Sequence, residues 1–143
     1  MHRLEATRTL SFEATPGPGS TSDWSGQGQG VVQVTGRHPV IRFHESGVFR
    51  HDSGRELPFR NVYRFEIGET YLDLHHERRG AEESVFLFTL LPVSDRRLES
   101  LNPHLCVRDL YSGTLSLDDE GFELLWRVEG PRKDERIRYR YTR

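Results

Sequence analysis

The feature that most constrains this fold is an alternation of large apolar and charged residues near the C-terminus. One face of the alternation consists of Phe122, Leu124, Trp126 and Val128, followed further along by Ile137, Tyr139 and Tyr141. Charged residues such as Glu123, Arg127 and Arg138 fall between them. A two-residue period is typical of a β-strand with one buried face. A shift by one residue would bury the arginines, so the pattern also defines the register of these strands.

Similar short runs recur along most of the chain, with turn-forming residues such as Gly36, Gly54 and Gly130-Pro131 between them. We count nine or ten strands. The first contains Leu4, Ala6, Leu10 and Phe12, and the later ones cover 30–34, 40–44, 57–67, 70–77, 84–91, 104–110, 114–117, 122–128 and 135–141. A helical turn is expected only over Ser94–Leu101. Short, evenly spaced strands are typical of barrels and sandwiches. The sequence therefore predicts an all-β fold, a single antiparallel up-and-down β-barrel domain over residues 1–143.

Composition narrows the classes of partner and the cellular location. The 143 residues include 20 basic and 22 acidic side chains, a balance that argues against the basic face needed for nucleic-acid binding. No apolar stretch approaches the roughly 20 residues of a membrane-spanning helix. The single cysteine, Cys106, excludes an internal disulfide and fits a reducing compartment. We therefore predict a cytoplasmic protein that binds neither nucleic acid nor membrane.

Several spaced motifs resemble those of a known family. They are His-x-Cys-x-x-Asp-x-Tyr at 104–111, Trp-x-Val-x-Gly-Pro-x-Lys-Asp at 126–134 and Tyr-x-Arg at 141–143. Upstream, Trp24-Ser25-Gly26 and Phe43-His44-Glu45-Ser46-Gly47 resemble earlier landmarks of the same family. In these motifs the chain is similar to the uncharacterised family DUF6314. The resemblance implies a small lipocalin-like (calycin) β-barrel, and it implies no particular activity.

Polar residues at inward positions of the predicted barrel are candidates for ligand binding. Glu45 has the parity of Ile41 and Phe43, and a carboxylate inside a barrel must be paired, hydrated or protonated. We predict a small, largely apolar or aromatic ligand, because small barrels enclose one such molecule. The candidate ligand-binding residues are Glu45, Asn61, Tyr63, His75, His104, Trp126 and Tyr139. A structural ion pair between Glu45 and an arginine is an equal alternative.

Other chemistry is less well supported by the sequence. His104 and Cys106 share a strand face and His75 has a histidine neighbour, but their spacing is not that of a structural zinc site. We therefore assign no metal, no cofactor and no catalytic residue. An alternative function is an enzyme of hydrolase or isomerase type, with His104 and either Asp109 or Glu45 as acid and base. A third is an interaction protein whose outer sheet forms a homodimer surface.

Overall fold

The structure, a computed structural model, describes residues 2–17, 25–77, 79–100, 104–106, 109–131 and 133–143; of residues 2, 3 and 104–106 it describes the backbone alone. The elements in chain order are α1 (His2–Glu5), β1 (Thr9–Pro16), β2 (Gly26–Arg37), β3 (Val40–His51), β4 (Glu56–Ile67), β5 (Leu72–His76), a 3-10 turn (Ala81–Glu83), β6 (Val85–Ser94), β7 (Arg97–Glu99), β8 (His104–Cys106), β9 (Asp109–Leu117), β10 (Gly121–Glu129) and β11 (Asp134–Thr142).

Ten of the strands close into one antiparallel barrel. Each strand from β1 to β6 pairs with the next strand in the chain, β7 pairs with β9, β9 pairs with β10, and β10 pairs with β11. The ring closes where β11 pairs with β1, with Leu10 opposite Tyr141. The short strand β8 lies outside this ring and pairs with the first residues of β9. The predicted all-β, up-and-down barrel is therefore confirmed.

The structure corrects three details of the sequence prediction. Leu4 lies in α1 rather than in the first strand. The described part of the segment 94–101 is a hairpin and not a helical turn, because β6 ends at Ser94 and β7 begins at Arg97. The predicted strand 104–110 is two strands, since Cys106 pairs antiparallel with Asp109. Strands of three residues are too short for alternation to reveal them.

One end of the barrel is packed with apolar side chains. Leu4, from α1, is 1% exposed and belongs to the same apolar cluster as the inward residues of the surrounding strands. The largest inward side chains at this end are Ile41, Phe43, Phe65, Leu72, Leu90, Phe122 and Tyr141. Phe122 stacks on Tyr141 with ring centroids 4.8 Å apart. Burying each such side chain contributes about 1.5–3 kcal/mol, so this packed end is a main source of stability.

Inward glycines make room for aromatic rings elsewhere in the barrel. A Cβ atom at Gly28 would overlap the ring of Phe12, and one at Gly113 would overlap the ring of Phe88. Glycine in a strand interior often marks such a close approach. The glycines of β2 and β9 are therefore part of how the barrel accommodates large rings.

Candidate ligand-binding cavity

The end of the barrel opposite α1 holds a cavity of about 360 Å³. Most of its wall is aromatic, with Phe12, Phe49, Phe59, Tyr63, Tyr111, Trp126 and Tyr139 among the lining residues. Charged side chains that reach it are Arg60 and Glu135. Its volume falls within the range of small-molecule sites, which are usually apolar with a few polar groups. We call this space the cavity.

The aromatic wall is ordered by ring contacts. Tyr139 stacks on Trp126 with centroids 5.9 Å apart, and it contacts Phe12 at 5.2 Å. Tyr63 meets Trp126 edge to face at 5.5 Å. The hydroxyl groups of Tyr63 and Tyr139 are hydrogen-bonded at 3.1 Å. Such contacts stabilise the rings in one arrangement, so the cavity is largely preformed.

Glu45 lies next to the cavity wall and is 2% exposed. It is the cross-strand neighbour of Asn61, which lines the cavity. The hydroxyl of Tyr141 donates to Oε2 of Glu45 at 2.6 Å. Among the described residues, Oε1 of Glu45 has no hydrogen-bond partner of normal geometry.

Burial raises the pKa of Glu45 to about 8, although the hydrogen bond from Tyr141 and the nearby side chain of Asn61 lower it. The carboxyl group is therefore protonated and neutral at pH 7. The side chains that act on this pKa are the phenol of Tyr141 and the amide of Asn61. They differ from the arginine partner that the sequence analysis left open as an alternative.

The structure brings together five of the seven predicted ligand-binding residues. Asn61, Tyr63, Trp126 and Tyr139 line the cavity, and Glu45 lies behind Asn61. They meet because β3, β4, β10 and β11 each place every second residue inside the barrel. The backbone of His104 is in β8, but its side chain lies outside the described part of the chain.

The placement of His75 corrects the prediction for this residue. His75 lies on the outer face, where its ring packs against Phe86 at 5.4 Å. The next residue, His76, lines the cavity, and its ring contacts Tyr63 at 5.4 Å. Leu72 and Leu74 are fully buried, so the inward parity of β5 continues to His76. These two leucines are the signal in the sequence that identifies the inward histidine.

A group of metal-binding residue types occurs on the outer face. Ligand atoms of Glu66, Asp73 and His75 lie within 4.8 Å of one another. However, Nη2 of Arg64 lies 3.2 Å from Nδ1 of His75. A guanidinium can only donate, so Nδ1 accepts and the neutral ring carries its proton on Nε2. With Nε2 protonated, the ring offers no lone pair to a metal, and we interpret the group as a polar surface network.

The carboxylates of the catalytic hypothesis have other contacts. Asp109 lies 3.7 Å from the Nζ atom of Lys133, and Glu45 accepts its hydrogen bond from Tyr141. The described side chains therefore give this hypothesis no support beyond the cavity itself.

Among the described residues, no helix has the length and apolarity needed to cross a bilayer.

Comparisons with curated proteins and with solved structures found no match to this chain. The lipocalin-like relationship implied by the resemblance therefore stays a prediction. In contrast, the profile of the family of unknown function DUF6314 matches residues 6–143, nearly the whole chain. The match covers every strand of the barrel and every described residue that lines the cavity. The chain therefore belongs to the DUF6314 family.

Proposed function

We propose that this protein is a noncatalytic binding module that holds a small, largely apolar or aromatic molecule in the cavity. The observation that carries the proposal is the open, aromatic-walled space of about 360 Å³ in a barrel whose other end is packed. Proteins usually fill such interiors with side chains, because empty apolar space forfeits dispersion contacts. A ligand would restore those contacts.

An unpaired polar group on the cavity wall supports the same proposal. Trp126 is 6% exposed, and its Nε1 atom has no hydrogen-bond acceptor among the described residues. Leaving a buried donor unsatisfied costs about 1–3 kcal/mol. A ligand with one suitably placed acceptor would recover part of that free energy, in addition to the contribution of its apolar body.

We also propose that the barrel is lipocalin-like and that the protein is cytoplasmic. Lipocalins are small barrels that enclose one ligand, so a cavity in a barrel of this size supports a lipocalin-like relationship. The single cysteine supports a cytoplasmic location.

The binding role is tested with a neutral fluorescent probe, N-phenyl-1-naphthylamine, titrated into the purified protein. We expect one saturable site. The variant Ala14→Phe places a ring at a residue that lines the cavity, and we expect it to weaken probe binding at least tenfold. The matched control, Thr15→Phe, places the same ring on an exposed position of the same strand and should leave binding unchanged.

Both variants are compared with the wild type by thermal melting, so that a folding defect is recognised. Absence of saturable binding to the wild type would contradict the proposal. An equal effect of the two substitutions would show that the probe binds outside the cavity.

A further inference from the structure

Glu45 is a buried acid that the general binding role does not explain. Natural proteins rarely bury a carboxyl group without pairing it, because taking it out of water is unfavourable. Only one of its two oxygen atoms has a hydrogen-bond donor of normal geometry, the hydroxyl of Tyr141. Among the residues that the structure describes, the other oxygen, Oε1, has no such donor.

The carboxyl group lies beside the cavity wall. Asn61, which lines the cavity, is opposite Glu45 in the β3–β4 ladder, and its side chain is close enough to affect the Glu45 pKa. Tyr139 lines the cavity from the other side. Burial, followed by the nearby charge of Glu45, raises the pKa of the Tyr139 hydroxyl. Glu45 is thus adjacent to two residues that a bound ligand would touch.

The surrounding rings favour one kind of ligand charge. Tyr63, Trp126 and Tyr139 are in mutual contact on the wall next to Glu45. The faces of aromatic rings attract cations and repel anions, and this preference is strongest for tryptophan. When it is ionised, Glu45 accepts hydrogen bonds through both oxygens, and the carbonyl oxygen of Asn61 is also an acceptor. An anionic group would meet the faces of the rings, which repel it, and it would oppose ionisation of Glu45, whereas a cation favours it.

We propose, on the basis of the binding role above, that the ligand carries a cationic nitrogen on an apolar body, and that this nitrogen lies beside Glu45, Asn61 and the rings of Tyr63, Tyr139 and Trp126. Amines and quaternary ammonium compounds with aromatic or aliphatic substituents are the chemical class. The apolar body occupies the rest of the cavity.

Binding of a cation is coupled to the release of one proton. Glu45 is protonated in the free protein, and the bound cation stabilises its carboxylate form, so the proton passes to water. Tyr141 and Tyr139 face Glu45 from β11, and burial raises the pKa of both phenols, so they stay neutral at pH 6–8. The other titratable or charged residues on the cavity wall are Tyr63, His76, Tyr111, Arg60 and Glu135.

The test uses two probes of nearly the same shape, benzyltrimethylammonium and its uncharged analogue neopentylbenzene. The first is a permanent cation and does not titrate. Isothermal titration calorimetry at pH 6–8, in buffers of different ionisation enthalpy, gives both the affinity and the protons released. We expect the affinity for the cation to rise about tenfold for each unit by which the pH increases toward the Glu45 pKa, with release of about one proton. Binding of neopentylbenzene should not depend on pH.

Three variants separate Glu45 from its surroundings. Glu45→Gln removes the ionisable group and keeps a hydrogen-bonding side chain, so the pH dependence and the proton release should both disappear. His76→Asn removes the other titratable group on the β5 side of the wall and should retain both. Glu13→Gln, an exposed position on β1, is the matched control for loss of a carboxylate.

The possible results distinguish the two proposals. Equal affinity for the two probes without proton release overturns the cation inference and leaves the binding role intact. Proton release that survives in Glu45→Gln and disappears in His76→Asn overturns the assignment to Glu45. Failure of both these probes and of N-phenyl-1-naphthylamine to bind overturns both proposals. The wild-type measurements alone are decisive if a variant does not fold.

Discussion

Two glutamates of this barrel are equally inaccessible to solvent, but at neutral pH one is protonated and neutral and the other is ionised. Glu45 and Glu77 are each 2% exposed. Glu45 lies inside the barrel, where burial raises its pKa to about 8. Glu77 follows β5 on the outer face, and its pKa lies below the usual range of a carboxyl group. Burial alone therefore does not decide whether an acid is ionised.

The partners of the two carboxyl groups explain the difference. Burial by itself would raise the pKa of Glu77, but a hydrogen bond from Arg42 and the charges of Arg42 and Arg64 outweigh it. Arg42 lies 2.8 Å from Oε1 and Arg64 lies 3.0 Å from Oε2. Both arginines keep part of their side chains in water, with 33% of the Arg42 side chain and 20% of the Arg64 side chain exposed. Glu45 has a phenol and an amide instead, which stabilise a carboxylate much less than cations do.

The largest expected effect is a pH-dependent difference in stability between the wild type and Glu45→Gln. The folded protein holds the Glu45 proton up to a pKa of about 8, whereas the unfolded chain releases it near 4.5. This contribution to the free energy of unfolding is complete below pH 4.5 and is lost as the pH rises to about 8. Relative to the variant, the wild type should lose roughly 1.4 kcal/mol per pH unit in that window.

Urea denaturation at several pH values measures this difference. The two curves of stability against pH should diverge up to about pH 8 and then run parallel. The exposed substitution Glu13→Gln is the control and should follow the wild type. Curves that stay parallel throughout would mean that Glu45 is ionised in the free protein.

The second-largest expected effect is the loss of stability when the charge of Glu77 is removed. In Glu77→Gln, Arg42 and Arg64 face each other without their shared carboxylate. We expect the free energy of unfolding at pH 7 to fall by about 2–3 kcal/mol, because charged hydrogen bonds are lost at a buried group. The loss should shrink as the pH falls through the Glu77 pKa, since the wild-type carboxyl group is then protonated too. A loss below 1 kcal/mol at pH 7 would contradict the proposed difference between the two glutamates.

Removing a single phenol hydroxyl should have a smaller effect. Tyr141→Phe deletes the donor to Glu45 and should destabilise the protein by about 1–2 kcal/mol. Because that hydrogen bond lowers the Glu45 pKa, the variant should also move the upper end of the stability window to higher pH. Tyr139→Phe is the matched control: its hydroxyl bonds to Tyr63 and not to Glu45, so the window should stay in place.

The smallest effect concerns another carboxylate that shares Arg64. Glu66 lies 2.9 Å from Nη2 of Arg64, but its side chain is 39% exposed. Exposed ion pairs contribute little, so Glu66→Gln should change the free energy of unfolding by about 0.5 kcal/mol or less. An effect as large as that of Glu77→Gln would show that the arginine, and not burial of its partner, determines the stability of this network.

Sequence alone predicts the faces of the long strands well. The alternation through β4, β10 and β11 places Asn61, Tyr63, Trp126 and Tyr139 inside, and the structure has them on the cavity wall. This works because a strand with one wet and one dry face has only one register compatible with burial.

The remaining features depend on contacts between distant parts of the chain. Tyr141 reaches Glu45 across 96 positions of sequence, and no local pattern indicates which inward residues meet. His75 and His76 have the same chemistry, so residue type does not distinguish them; only the parity of Leu72 and Leu74 identifies His76 as the inward residue. The hairpin formed by β6 and β7 is stabilised by the pairing of Leu98 with Leu115, which neither segment shows by itself.

Closure of the ring by β1 and β11 has a consequence for how the chain folds. Eight residues at each end of the sequence are paired with each other, from Thr9 with Thr142 to Pro16 with Glu135. During synthesis, the edges of β1 and β10 that pair with β11 therefore lack their partner until β11 has left the ribosome. Unpaired edges invite aggregation, and contacts of such high sequence separation slow folding. Nascent chains that stop before residue 134 should depend on chaperones far more than chains that include β11.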